Sequence, residues 1–282
     1  LTLNNGTFAW TIPDTITAQA RVRLSDPADA TANDISNADF KIKAGFTVSA
    51  PNGSEVFTVG ISQNVTWANT GTVPNVKLDY STNSGTTYPN AIVATVANTG
   101  NYTWTIPDAI STTVRVKVGA TTDVDAFDTS NADFKIRGAL TLTAPNGGEG
   151  FKIAQSHNIT WTTTGTIPNV TLTYSTNGGA TYPSVITASV VNTNTYAWVV
   201  PDVPTTTARV RVEHVTDSTV FDDSNANFSI QGNFTITSPN GGEVWTVTEI
   251  RNLVWNWGGT IPNVKLTYST DGGATYPTVI AA

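Results

Sequence analysis

The chain repeats itself every 94 residues without an insertion or deletion, and its 282 residues are three times that period. Pro51-Asn52-Gly53 returns as Pro145-Asn146-Gly147 and Pro239-Asn240-Gly241, and Trp67 returns as Trp161 and Trp255. Trp10 returns as Trp104 and Trp198, and Asn37-Ala38-Asp39-Phe40 as Asn131-Ala132-Asp133-Phe134 and Asn225-Ala226-Asn227-Phe228. A period this long makes each copy one folding unit, so the repeat governs every later assignment. The opening LTLNNGTFAWTIPD aligns with TVANTGNYTWTIPD from Thr95, so Leu1 follows Ala282 in repeat phase. Two whole modules are expected, 46–139 and 140–233. They are flanked by the second half of a module, 1–45, and the first half of another, 234–282.

Within the first whole module the signals are those of short strands. Asn64-Val65-Thr66-Trp67 alternates, as do Val76-Lys77-Leu78-Asp79-Tyr80 and Val114-Arg115-Val116-Lys117-Val118. Alternation puts Val65 with Trp67, and Val76 with Leu78 and Tyr80, on one inward face. Further strands are predicted at Phe46–Ala50, Glu55–Val59, Ile92–Val96, Tyr102–Ile106 and Asp133–Ile136. Turns fall at Pro51-Asn52-Gly53 and Asn83-Ser84-Gly85, where Pro presets φ and Gly permits unusual backbone angles. Seven or eight short strands in such a length, with frequent turn signals, predict an all-β fold of tandem Ig-like β-sandwich modules. Trp67 and Trp104 are read as core. Phe57, Phe151 and Trp245 share a position nearer a strand edge. The links at Arg137-Gly138-Ala139 and Gln231-Gly232-Asn233 are too short for a flexible tether, which predicts modules joined end to end as a rod or filament.

The split strand, which corresponds to Val185–Val191 of the second whole module, has two readings. The residues are a window on a longer array, or subunits complete one another's split modules by strand complementation. A half-sandwich of this size buries too little surface to stand alone, and its open edges invite pairing.

Composition narrows the class. Hydrophobic residues make up 39% of the chain with 8 Trp, enough for packed cores, while charged residues are only 12%. Thr, close to a fifth of the residues, fills the gap. A formal net charge of −7 disfavours nucleic acid, which requires basic stripes. The absence of Cys rules out disulfides and thiolate metal sites. No apolar run reaches the roughly 20 residues of a membrane span. Sparse charge, abundant Thr and no sulfur suggest an extracellular or cell-surface protein.

The string ITSPNGGEVWTV (Ile236–Val247), followed by LVWNWGGTIPNVKLTYSTDGG (Leu253–Gly273), resembles a known repeat, as do its copies TAPNGGEGFKI and SAPNGSEVFTV. It looks like the Ig-like modules strung along very large bacterial surface proteins. It is also similar to the amino-terminal domain of Ser/Thr-rich, GPI-anchored fungal cell-wall proteins. The resemblance implies stalk, spacer, adhesive or wall-associated roles and carries over no catalytic residue.

No enzyme constellation is visible. His157 and His214 occupy different repeat positions and read as surface residues. Asp29, Asp123 and Asp217 share one position, and Asp34, Asp128 and Asp222 another, with Asp125 and Asp223 nearby. That loop is an oxygen-rich candidate for Ca²⁺, though Asx-turn capping accounts for the same pattern. Glu55, Glu149 and Glu243 recur after the Pro-Asn-Gly turn, but paired glycosidase carboxylates need a cleft. Asn-x-Ser/Thr triplets at Asn5, Asn52, Asn64, Asn101, Asn158, Asn169, Asn227 and Asn233 are possible glycan acceptors. Tyr88, Tyr182 and Tyr276, each before Pro, are candidate exposed aromatics for a sugar ligand. The expectation is a noncatalytic structural segment of an extracellular rod or fibre, with no catalytic, cofactor or metal residue assigned. Its partner is itself, end to end. The alternatives are an adhesin or carbohydrate-binding repeat, or a subunit that polymerises by strand complementation.

Overall fold

The computed structural model describes residues 2–281, and no helix occurs among them. Contacts divide the chain into two units, the first ending at Gly138 and the second beginning at Ala139.

In the first unit, residues 45–137 form two sheets. Asn101–Thr105, Ser62–Thr70 and Gly45–Ala50 lie side by side in that order. The other sheet runs Val56–Thr58, Phe134–Arg137, Ser111–Ala120, Asn75–Ser81 and Asn90–Ala97, with Phe127–Thr129 also pairing with Ser111–Ala120. All pairings are antiparallel except Val56–Thr58 with Phe134–Arg137. The sandwich follows from alternation. Val114, Val116 and Val118 are fully buried, while Arg115 and Lys117 between them face outward. Burying each such side chain contributes about 1.5–3 kcal/mol. The opposing sheet supplies Val48, Val65, Trp67 and Trp104 to the same core.

The tryptophans sit where alternation placed them, and one is also a polar anchor. Trp67 Nε1–H donates to Asn98 Oδ1 at 2.8 Å, and Asn98 Nδ2 donates to Val73 O and Asn69 Oδ1. Trp161 and Asn192 repeat the bond at 2.8 Å. Phe57 packs against the core at its edge and meets the Phe134 ring at 5.4 Å.

Nine strands occupy residues 45–137, one or two more than expected. The addition is Phe127–Thr129, inside the segment read from sequence as an acidic loop. It is short and dominated by Asp and Thr, so periodicity does not reveal it; pairing with Ser111–Ala120 does.

Residues 139–231 of the second unit repeat the arrangement. Ala139–Ala144, Ser156–Thr164 and Thr195–Val199 form one sheet. Gly150–Lys152, Phe228–Gln231, Thr205–His214, Asn169–Ser175 and Ser184–Val191 form the other, with Asp217–Asp223 paired to Thr205–His214.

The outer segments differ. In residues 2–43 the strands Thr17–Ala20 and Phe40–Ile42 pair, as do Arg23–Ser25 and Asn33–Ile35. In residues 233–281, Asn233–Ser238 pairs with Val254–Gly258 and Leu266–Tyr268 with Thr278–Ala281. Neither segment contains one buried side chain. The phase match of Leu1 to Ala282 lies outside the described residues.

Candidate functional site

The sequence points to no catalytic cluster, so the recurring polar structure of the repeat is the place to look for function. One recurring element is a clamp between each whole sandwich and the outer segment of the same unit. Asp14 follows the Ile12-Pro13 turn of residues 2–43, and its Oδ1 accepts the Thr72 N–H at 2.9 Å. Its Oδ2 accepts the Thr72 hydroxyl at 2.6 Å. In the second unit Asp202 does the same to Thr260, with both bonds at 2.7 Å. The two clamps are separated by two periods of the sequence. The preceding glycine makes each possible: Gly71 and Gly259 have φ of +83° and +95°, in the left-handed region that favours Gly. A Cβ on Gly259 would collide with Ile153 Cδ1.

Both Asp carboxyls are held below the usual carboxylate range. For Asp14 the Thr72 hydroxyl is the larger cause and its N–H the second; for Asp202 the Thr260 N–H leads and the hydroxyl follows. Donors to the charged form favour that form.

A second contact joins the parts of the first unit. Lys41 Nζ reaches Asp123 Oδ1 at 2.5 Å and Asp125 Oδ2 at 2.7 Å, while Lys43 Nζ donates to Asp125 O at 2.6 Å. Hydrogen bonds to Asp123 and then Asp125 raise the Lys41 ammonium, and Lys41 is the leading cause holding Asp123 down. Ile16, Ala44, Pro74 and Ala126 border a space of about 210 Å³ beside this contact.

These bonds give the recurring acids work other than metal binding. Asp128 Oδ2 accepts the Val48 N–H at 2.8 Å, and Asp222 Oδ2 the Leu142 N–H at 2.7 Å. Each thus ties its own strand, Phe127–Thr129 or Asp217–Asp223, to the first strand of its sandwich. Asp29 accepts the N–H and hydroxyl of Thr31, the Asx turn weighed from sequence. Asp223 pairs with Arg211 through two bonds, at 2.6 and 2.9 Å. Among the described residues no three His, Cys, Asp or Glu side chains gather as a metal set.

The recurring glutamates brace the turn before them. Glu55 accepts the N–H groups of Asn52 and Gly53, Glu149 those of Asn146 and Gly147, and Glu243 those of Asn240 and Gly241, all at 2.7–2.8 Å. The preceding X-Pro bonds at Pro51, Pro145 and Pro239 are cis, a feature no sequence pattern announced.

Two expectations about exposed side chains are corrected. His214 is buried, because it occupies the last inward position of Thr205–His214, where the first sandwich has buried Ala120. His157 stacks on Phe151 with ring centroids 4.1 Å apart, and its Nε2 is buried without a partner among the described residues. Tyr88 and Tyr182 are half-buried under cations rather than open. Arg211 lies 4.3 Å from the Tyr182 ring centre and 4.1 Å from that of Phe221, and Lys117 lies 3.7 Å from that of Phe127 and 5.8 Å from that of Tyr88. Such contacts are energetically useful, and they occupy faces a sugar would need. Tyr276 remains exposed. Among the triplet asparagines, Asn52, Asn64 and Asn227 use their side-chain oxygens as acceptors within the fold.

No family model matches the sequence, and neither does any curated protein. Solved structures that match include the fibronectin(III)-like modules of Clostridium thermocellum CbhA, at 15% identity over 66% of this chain and 91% of that one, with a TM-score of 0.23. The titin domains Z1Z2 in complex with telethonin match at 15% identity over 67% and 98%, with a TM-score of 0.24. The N-terminal four Ig domains of Dscam1 isoform 1.9 match at 9% identity over 72% and 51%, with a TM-score of 0.32. The fold is a tandem Ig-like β-sandwich. TM-scores this low give no ground for carrying a role across.

Proposed function

We propose that this chain is a noncatalytic stretch of a tandem Ig-like array that spans distance at or beyond the cell surface. Its modules are 46–139 and 140–233, with partial modules at 1–45 and 234–282. The observation that carries the reading is the repeated carboxylate clamp, Asp14 on Thr72 and Asp202 on Thr260. The same bond in both units, with Gly232 alone between Phe228–Gln231 and Asn233–Ser238, supports modules joined without a flexible tether. Modules joined so closely suit a part whose function is length and load. The resemblance to repeats of large bacterial surface proteins and fungal wall proteins agrees with this placement, and low charge density suits it. The cation-covered Tyr88 and Tyr182 weigh against a sugar-binding face at that position.

Force spectroscopy on the chain held at both ends tests the reading. Two equal unfolding steps are expected, each releasing roughly 300 Å of contour from a module of this size. A single step, or steps of unequal length, would contradict independent modules in series.

A further inference from the structure

Six of the Asn-x-Ser/Thr triplets lie within residues 45–231, and the fold treats them differently. Asn52, Asn169 and Asn227 are half-buried. The Asn52 oxygen accepts the Asn131 N–H at 2.6 Å, and the Asn227 oxygen accepts from Arg209 Nε at 2.8 Å. Asn101 is exposed, but Thr195 stands in its place one period on. Asn64 and Asn158 are both exposed and hold the same repeat position. Each lies on the central strand of its three-stranded sheet. Its neighbour, Val65 or Ile159, is fully buried, so alternation turns the asparagine outward. The Asn64 oxygen accepts the Thr103 hydroxyl at 2.9 Å, and among the described residues neither Nδ2 has a partner.

The face around these two asparagines carries no charge. None of the six strands that build the two three-stranded sheets contains Lys, Arg, Asp or Glu. The other sheet of each sandwich does, with Lys117 and Arg211 among its outward residues. Hydroxyls stand where charges would: Ser62 and Thr105 share a hydrogen bond at 3.4 Å, and Thr143 and Thr160 one at 2.7 Å. The strand beside each asparagine, Asn101–Thr105 or Thr195–Val199, is the last of its sheet. An uncharged edge is a ready template for pairing with another chain.

We propose that Asn64 and Asn158 are acceptors for an N-linked glycan, one on each whole sandwich, and that the sugar supplies the solvation this face lacks. Such glycans are bulky and solubilising. In the transfer, Nδ2 forms a bond to C1 of a lipid-linked oligosaccharide, the C1–O bond to the lipid phosphate carrier breaks, and the amide proton leaves to the released phosphate. The side-chain oxygen is untouched, so the bond from Thr103 to Asn64 survives the modification. The third residue of each triplet, Thr66 or Thr160, stands two positions on and on the same face. The inference rests on the placement at or beyond the cell surface and adds a site to it.

Peptide mapping of the chain from the cells that make it, with fragment spectra to place each modification, tests the proposal. Asn64 and Asn158 should carry sugar, while Asn52, Asn169 and Asn227 stay at their sequence masses. Thr66→Ala and Thr160→Ala, made in the same cells, should leave the asparagine of their own triplet bare. Thr66→Ser and Thr160→Ser should keep it modified. Sugar on Asn64 in the Thr66→Ala chain, or on Asn52, Asn169 or Asn227 in place of Asn64 and Asn158, would overturn the proposal. Bare asparagines at 64 and 158 on chain recovered outside the cell would overturn it and leave the placement standing. Bare asparagines on chain found only inside the cell would overturn both.

Discussion

The Asp14 carboxylate takes both hydrogen-bond donors of Thr72, its N–H at 2.9 Å and its hydroxyl at 2.6 Å. Asp202 takes both from Thr260 two periods later. The same bond, made in both units, belongs to the contact between a whole sandwich and the outer segment beside it.

The first prediction concerns that bond. Asp14→Ala should speed amide exchange at Thr72, and Asp202→Ala at Thr260, while amides inside the sandwiches stay protected. Because the folded-state pKa of both groups is depressed, the contribution is fully present above the unfolded value of about 3.9. It is lost as pH falls through the folded value. Protection at Thr72 and Thr260 should therefore hold at neutral pH and fail under acid, ahead of global unfolding.

Glu149 should matter to stability and not to chemistry. Its two carboxylate oxygens each accept one backbone N–H of the turn. Hydrogen bonds to a charged group contribute about 1.5–3 kcal/mol. Glu149→Ala should lower the unfolding free energy of its sandwich by about 2 kcal/mol in urea titration. Glu149→Gln, with one oxygen left as an acceptor, should lose less.

Two neighbouring glycines should respond unequally to the same change. Gly147 has φ +124° and its Cβ would run into Ala226; Gly148 has φ +86° and faces open space. Gly147→Ala combines strain with collision, so it should cost more than Gly148→Ala in a pair of denaturation curves. Replacing a positive-φ glycine costs more than about 1 kcal/mol even without a clash.

Tyr182 should titrate late. Burial first, and the negative charge of Asp223 second, push its phenol up to about 12. Asp223→Asn removes the charge and leaves the burial, so the phenolate absorbance of Tyr182 should appear at lower pH. An unchanged titration would place the cause in burial alone.

Much of this architecture is legible in the residues themselves. Val114-Arg115-Val116-Lys117-Val118 states its own inward face, and Trp67 and Trp104 follow from the same alternation. Two kinds of feature are not legible. Short polar strands such as Phe127–Thr129 exist only through their partner, so no local period marks them. Long-range side-chain roles are hidden as well. Glu55 and Asp128 recur visibly, but only the fold reveals that one braces its own turn and the other holds Val48. The Asp14 clamp is hidden for that reason, although the constant spacing of Pro-Asp and Gly-Thr across copies is a readable signal. For His214 the polar ring suggests the surface, but its strand position, shared with buried Ala120, is the better guide.

Small-angle scattering on the chain, at a dilution where light scattering reads a monomer, tests the central claim most directly. A compact globule of this length would have a radius of gyration of about 19 Å. The account predicts a value well above that, with a distance distribution skewed to long separations as for a rod. A radius near about 19 Å with a symmetric distribution would contradict the extended array.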